Sequence, residues 1–142
     1  MIQEEYVSFE IAKLLKEKGF DADCPKRYSL IDIKGWDGDI MVDISKNSRY
    51  SEAMIYIKES ICCPTQSLAM RWLREEHHIH IEFSPYTKDK QVLYDYVILQ
   101  QVFHHKHLSD GELEVKYNED LGDLSYEEAC ETAIKYCLEN LI

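Results

Sequence analysis

The sequence predicts an α+β fold: a single domain, residues 1–142, in which three helices pack on a mainly antiparallel sheet in the order α-β-β-(β)-α-β-β-β-α. Three observations predict it. Capping residues followed by apolar stripes of period 3.6 mark three helices, at the two ends and near the middle. Alternating apolar and polar residues mark strands between them. The connections between those strands are of hairpin length, which makes sequential neighbours antiparallel.

The first helix begins at Ser8, an N-cap, and carries Val7, Ile11, Leu14 and Leu15 in one stripe before Gly19 closes it as a C′ residue. Tyr28–Ile33 and Asp39–Ile44 then form a hairpin across the turn Lys34-Gly35-Trp36-Asp37-Gly38, with Ile40, Val42 and Ile44 inward. In the stretch from Ser45 to Cys63, Ser51-Glu52 could open a helix, but the β-branched residues and tyrosine of Ala53–Ile57 favour a short strand. The second helix follows Pro64 with Thr65 as N-cap, packs Leu68, Ala69, Trp72 and Leu73, and runs to about His77.

Next come three strands of a meander. His78–Phe83 alternates, with Ile79, Ile81 and Phe83 on one face. Val92–Leu99 is apolar on both faces except at Asp95 and belongs in the centre. Glu112–Tyr117 alternates again, and is expected to turn Leu113, Val115 and Tyr117 inward and Glu112 and Glu114 to water. The last helix opens on a capping box, Ser125 with Glu128, and aligns Tyr126, Ala129, Cys130, Ala133, Ile134, Cys137 and Leu141 against Glu127, Glu131, Lys135 and Glu139.

Three blocks of the chain carry a resemblance. They are Tyr6-Val7-Ser8-Phe9-Glu10 with Ala12 to Phe20, then Pro64 to Glu75, and Tyr126-Glu127-Glu128-Ala129 with Lys135 to Ile142. Together they resemble a family of short hypothetical proteins encoded in phages and mobile elements of gut Bacteroidales, across roughly a third of the chain by the extent of those segments. The resemblance implies a genomic setting. It carries over no catalytic residue and no cofactor.

Composition narrows the classes of function. The formal charge is −11, from 27 acids against 16 bases, and such a chain is repelled by phosphate backbones and anionic membrane surfaces. Direct binding of nucleic acid or membrane is therefore not expected. Between Asp110 and Glu131 nine acids face Lys116 alone. The start of the chain lacks the pattern of a secretory leader and no apolar run is long enough to span a bilayer, so a cytoplasmic protein is expected. Five cysteines at irregular spacing (Cys24, Cys62, Cys63, Cys130, Cys137) are expected to be free thiols.

Candidate chemistry is sparse. The i, i+2 pairs His78/His80 and His105/His107 would each put two imidazoles on one strand face, where a sheet could bring them together around zinc or copper; no established ligand spacing supports this. Asp32, Asp37, Asp39 and Asp43 read as turn and solvent-face residues of the hairpin rather than a Mg²⁺ site. Arg71 and Arg74 lie on the outer side of the second helix, too few to make a DNA-binding surface on so acidic a chain. No phosphate-binding glycine loop or nucleophile elbow occurs.

With no cofactor expected and no convergent catalytic set, the sequence favours a non-enzymatic acidic interaction module that binds a basic protein partner. Its candidate contact residues are Glu112, Glu114, Glu119, Asp120 and Asp123, with Arg71 and Arg74 next. The alternatives are a metal-dependent hydrolase built on the histidine groups and an acidic mimic of nucleic acid that inhibits a host protein. Ten tyrosines also suit a homodimer.

Overall fold

The computed structural model describes residues 2–24, 26–33, 40–43, 55–103 and 111–142. The element order is α1 (Phe9–Glu17), β1 (Arg27–Ile33), β2 (Ile40–Asp43), β3 (Ile55–Cys62), α2 (Gln66–His77), β4 (Ile79–Lys88), β5 (Gln91–Val102), β6 (Glu112–Leu124) and α3 (Tyr126–Asn140). This is the α+β class and the order read from the sequence. Every strand pairing is antiparallel, and the strands are divided between two three-stranded sheets, β2-β1-β3 and β4-β5-β6. The chain groups into two compact units, Met1–Thr65 and Gln66–Ile142.

In the first unit, Ser8 caps α1 by accepting a hydrogen bond from the Ile11 amide at 3.3 Å. Gly19 follows the C-cap at φ +88°, a conformation that suits glycine because it has no Cβ. The apolar stripe buries Val7, Ile11 and Leu15, together with Ala12. β1 is the central strand of its sheet, and its register with β3 sets Arg27 opposite Cys62 and Tyr28 opposite Ile61. The Tyr28 hydroxyl donates to the Val7 carbonyl at 3.3 Å, and its ring meets Phe9 edge-on with centroids 5.7 Å apart. The hairpin turn, residues 34–39, and the segment 44–54 lie outside the described residues.

One expectation is corrected here. Cys24 and Cys62 are not free thiols but a disulfide, with Cα atoms 6.0 Å apart, a span a disulfide bridges without backbone movement. The cause is the β1–β3 register: it sets Cys62 beside Arg27, three residues after Cys24, across a sequence separation of 38 that spacing alone does not flag. Cys63, Cys130 and Cys137 are buried thiols outside any disulfide.

In the second unit, α2 buries Ala69, Trp72 and Leu73, and it ends at His78, whose φ of 56° turns the chain directly into β4. Gln66 is buried at the start of α2. Its side-chain amide donates to the Glu127 carbonyl at 3.0 Å and to Glu131 Oε2 at 3.4 Å, so a buried polar group is satisfied by the first turns of α3. α3 carries the full capping box, Ser125 with Glu128, and buries Ala129, Cys130, Ala133, Ile134, Cys137 and Leu138.

α3 covers one face of the β4-β5-β6 sheet, where Ile79, Tyr96 and Ile98 are buried. Aromatic contacts mark that face: Tyr136 of α3 stacks on Tyr117 at 4.2 Å between centroids, and Tyr126 touches both Phe83 and Tyr94. Burying each aliphatic side chain there stabilises the unit by about 1.5–3 kcal/mol.

A second expectation is corrected by β6. Leu113 and Val115 were to point inward, yet each is 59% exposed. The register shifts between Ile98 and Leu99: Tyr117 pairs with Ile98, but Val115 pairs with Leu99 and Leu113 with Gln101. One extra residue in β6 reverses the parity of everything before it, because strand side chains alternate with period two. Tyr117 stays on the α3 face, while Leu113 and Val115 pass to the other.

Candidate functional site

That other face of the second unit is the most distinctive surface of the described residues. By register it carries His80, Glu82, Ser84 and Tyr86 of β4, Leu93, Asp95, Val97, Leu99 and Gln101 of β5, and Leu113, Val115 and Asn118 of β6. None of these residues is buried. Five of them are aliphatic, and two of those, Leu113 and Val115, are exposed where the alternation of a sheet with one wet side would place polar groups. The unit around them is acidic, with 15 acids and 7 bases, net −8, against −3 for the first unit.

At one end of this face the chain leaves regular pairing. Between the pairs Tyr94 with Leu124 and Tyr96 with Glu119, residues 120–123 make an excursion from β6, and both Leu121 and Asp123 have positive φ, 54° and 56°. Residues with a Cβ adopt that region uncommonly, leucine less readily than aspartate. Here neighbours hold them: Asp95 Oδ1 accepts from the Leu121 amide at 2.7 Å, Tyr86 bonds Asp123 twice, and Lys88 pairs with Asp123. The Lys88 ammonium, first, and the Tyr86 hydroxyl hold the Asp123 carboxyl below the usual carboxylate range. Leu121 is left 67% exposed at the tip.

The sequence-derived acids are split by this geometry. Glu112, Glu114 and Glu119 stand opposite Val102, Gln100 and Tyr96, on the α3 side of the sheet, whereas Asp123 is committed to Tyr86 and Lys88 on the opposite side. Glu119 accepts the Tyr117 hydroxyl, Glu114 pairs with Lys116 at 3.3 Å, and Asp120 is exposed. Arg71 and Arg74 are both exposed on α2, with Arg71 Nε bonded to Glu75 at 2.8 Å one turn on.

The histidines are spread. His77 packs against Trp72 at 4.5 Å between ring centroids, and burial lowers its pKa. His78 is exposed and meets Phe103 edge-on at 5.7 Å, while His80 lies half-buried on the open sheet face. His105 and His107 lie outside the described residues. Among the described residues no group of three or more His, Cys, Asp or Glu is placed to hold a metal ion, and no helix is long and apolar enough to cross a membrane.

Compared with known proteins, the chain matches no family model, no curated protein and no solved structure.

The exposed aliphatic pair was missed in the sequence because Leu113 and Val115 alternate perfectly with Glu112, Glu114 and Lys116. One signal of irregular pairing was present: Asn118-Glu119-Asp120-Leu121-Gly122-Asp123 is rich in turn-forming residues, yet it lies within one thirteen-residue strand.

Proposed function

We propose that this chain is a protein-interaction module, and that the open face of the β4-β5-β6 sheet is its contact surface for a basic protein segment bearing apolar side chains. The observation that carries this reading is the exposure of Leu113 and Val115, 59% each, on a face without a single buried residue. An interface core requires apolar side chains that can be fully desolvated, and a charged rim selects the partner. The aliphatic residues supply the first, and Glu82 and Asp95, which share this face by register, supply acidic groups for the second.

The test is a Leu113→Asp and Val115→Asp double variant. Both side chains are already exposed, so the variant should keep the native circular dichroism spectrum. On the resemblance to phage and mobile-element proteins, partners are sought first by cross-linking in Bacteroidales cells, and the recovered partner is then purified and titrated calorimetrically. Wild type should bind more weakly as salt rises, and the double variant should lose at least about tenfold in affinity, the equivalent of 1.4 kcal/mol. Equal affinity of the two proteins would place the interface elsewhere. A self-association in sedimentation that the double variant abolishes would assign the face to a second copy instead of a basic partner.

A further inference from the structure

A second surface, independent of that reading, lies wholly in the first unit. A cavity of about 250 Å³ is lined by Ala12, Lys16, Phe20, Arg27, Ser60 and Cys62, with Asp21 and Ala22 completing it. Cys62, one half of the disulfide, thus lines this cavity. Its partner Cys24 is not among the lining residues and is only 5% exposed. The two sulfurs differ in access, and access decides which of them an incoming thiolate attacks.

The charge around that cavity is equally directed. Arg27 stands opposite Cys62 in the β1–β3 ladder, and it is anchored there: Nε donates to Ser60 Oγ at 2.7 Å and Nη2 to the Ser60 carbonyl at 3.4 Å. Lys16 adds a second cation from α1, against the single carboxylate of Asp21. Two cations line one cavity on a chain of net charge −11, and a local excess of positive charge raises the concentration of anionic thiolates there.

We propose that this cavity binds small anionic thiols and that Cys62 is the site at which they form a mixed disulfide. The thiolate of RSH attacks Cys62 Sγ, the bond to Cys24 Sγ breaks with its electron pair passing to Cys24, and Cys24 takes up the proton that RSH gave up. Cys62 then carries the S–S–R bond. A second RSH attacks the outer sulfur of that bond, leaving Cys62 as a thiol and departing as RSSR. The electrons come from the thiols throughout.

The experiment uses the whole protein, purified in air, and three probes: glutathione as the anionic thiol, 2-mercaptoethanol as the neutral one and cysteamine as the cationic one. Reactions are quenched with iodoacetamide, mapped by peptide mass spectrometry, and compared at equal thiolate concentration. Glutathione should modify Cys62 and should react about tenfold faster than cysteamine at low salt, as expected for electrostatic focusing. High salt should erase that preference. Lys16→Gln and Arg27→Gln should each reduce it, and Lys16, exposed on α1, keeps the test readable if the Arg27 variant does not fold. Modification at Cys24 instead of Cys62, equal rates for all three thiols, or free thiols at both positions in the air-purified protein would each overturn the proposal.

Discussion

The Tyr86 hydroxyl donates to Asp123 Oδ1 at 2.8 Å and accepts from the Asp123 backbone amide at 2.9 Å, so one side chain on β4 holds both the carboxylate and the backbone of a residue at the far side of β5. With Lys88 on the same carboxylate, the two β4 residues fix the end of an excursion that regular pairing does not.

The first prediction concerns this carboxylate. The folded pKa of Asp123 is depressed, by Lys88 first and Tyr86 second. Its contribution to stability is therefore present above the unfolded carboxylate pKa and is lost as pH falls through the lower folded value. A carbon-detected NMR titration should find Asp123 titrating below the ordinary aspartate value, and Lys88→Gln should move it upward. Tyr86→Phe should speed hydrogen exchange at the Asp123 amide, whose acceptor is removed.

A second prediction tests the core of the second unit. Trp72 is 7% exposed on α2 and packs edge-on against His77. Trp72→Ala should cost about 3 to 5 kcal/mol in chemical denaturation, the range for truncating a buried aromatic. A loss below about 1 kcal/mol would show that the site is not packed.

Capping supplies a third. Ser125 and Glu128 satisfy each other's backbone amides at the start of α3. Ser125→Ala should cost about 1 kcal/mol in a denaturant melt. Ser125→Asp, which keeps an acceptor at the N-cap and adds charge at the positive end of the helix dipole, should cost less.

The buried thiols give a pH prediction on the alkaline side. Burial pushes Cys130 up to about 11 and Cys137 up to about 12, from an ordinary 9.0. A raised folded pKa means stability that is whole below the unfolded thiol pKa and is lost as pH rises from there through the folded values. Stability should therefore fall as pH rises above about 9, and Cys137→Ala should flatten that fall. At neutral pH iodoacetamide should leave both thiols unmodified until the protein unfolds.

The sequence was most legible where local chemistry decides the structure. Ser8, Gly19 and the Ser125–Glu128 box mark helix ends through contacts within four residues, and each stands where those contacts require. β5 was placed centrally because it is apolar on both faces, and it does pair with β4 and β6. Nonlocal events were illegible. Nothing near Leu113 announces that one added residue will reverse the parity of β6, and nothing near Cys24 announces a partner 38 positions away. The candidate site suffered most, since an alternating segment reads the same whichever of its faces meets the core.

Among the described residues, the β4-β5-β6 order leaves one long side of β4 and one of β6 without a strand in that sheet. Such margins recruit further strands, the first step of fibril growth, and the chain interrupts both. Pro85 removes an amide hydrogen from the middle of β4, and the excursion at residues 120–123 breaks the line of β6. Extension by backbone pairing is thus obstructed at one point along each margin. Straightening β6 by deleting residues 120–122, the three by which it exceeds β5 between these two pairs, should accordingly yield a chain that folds and then polymerises, detectable as thioflavin-positive material that the parent sequence does not form.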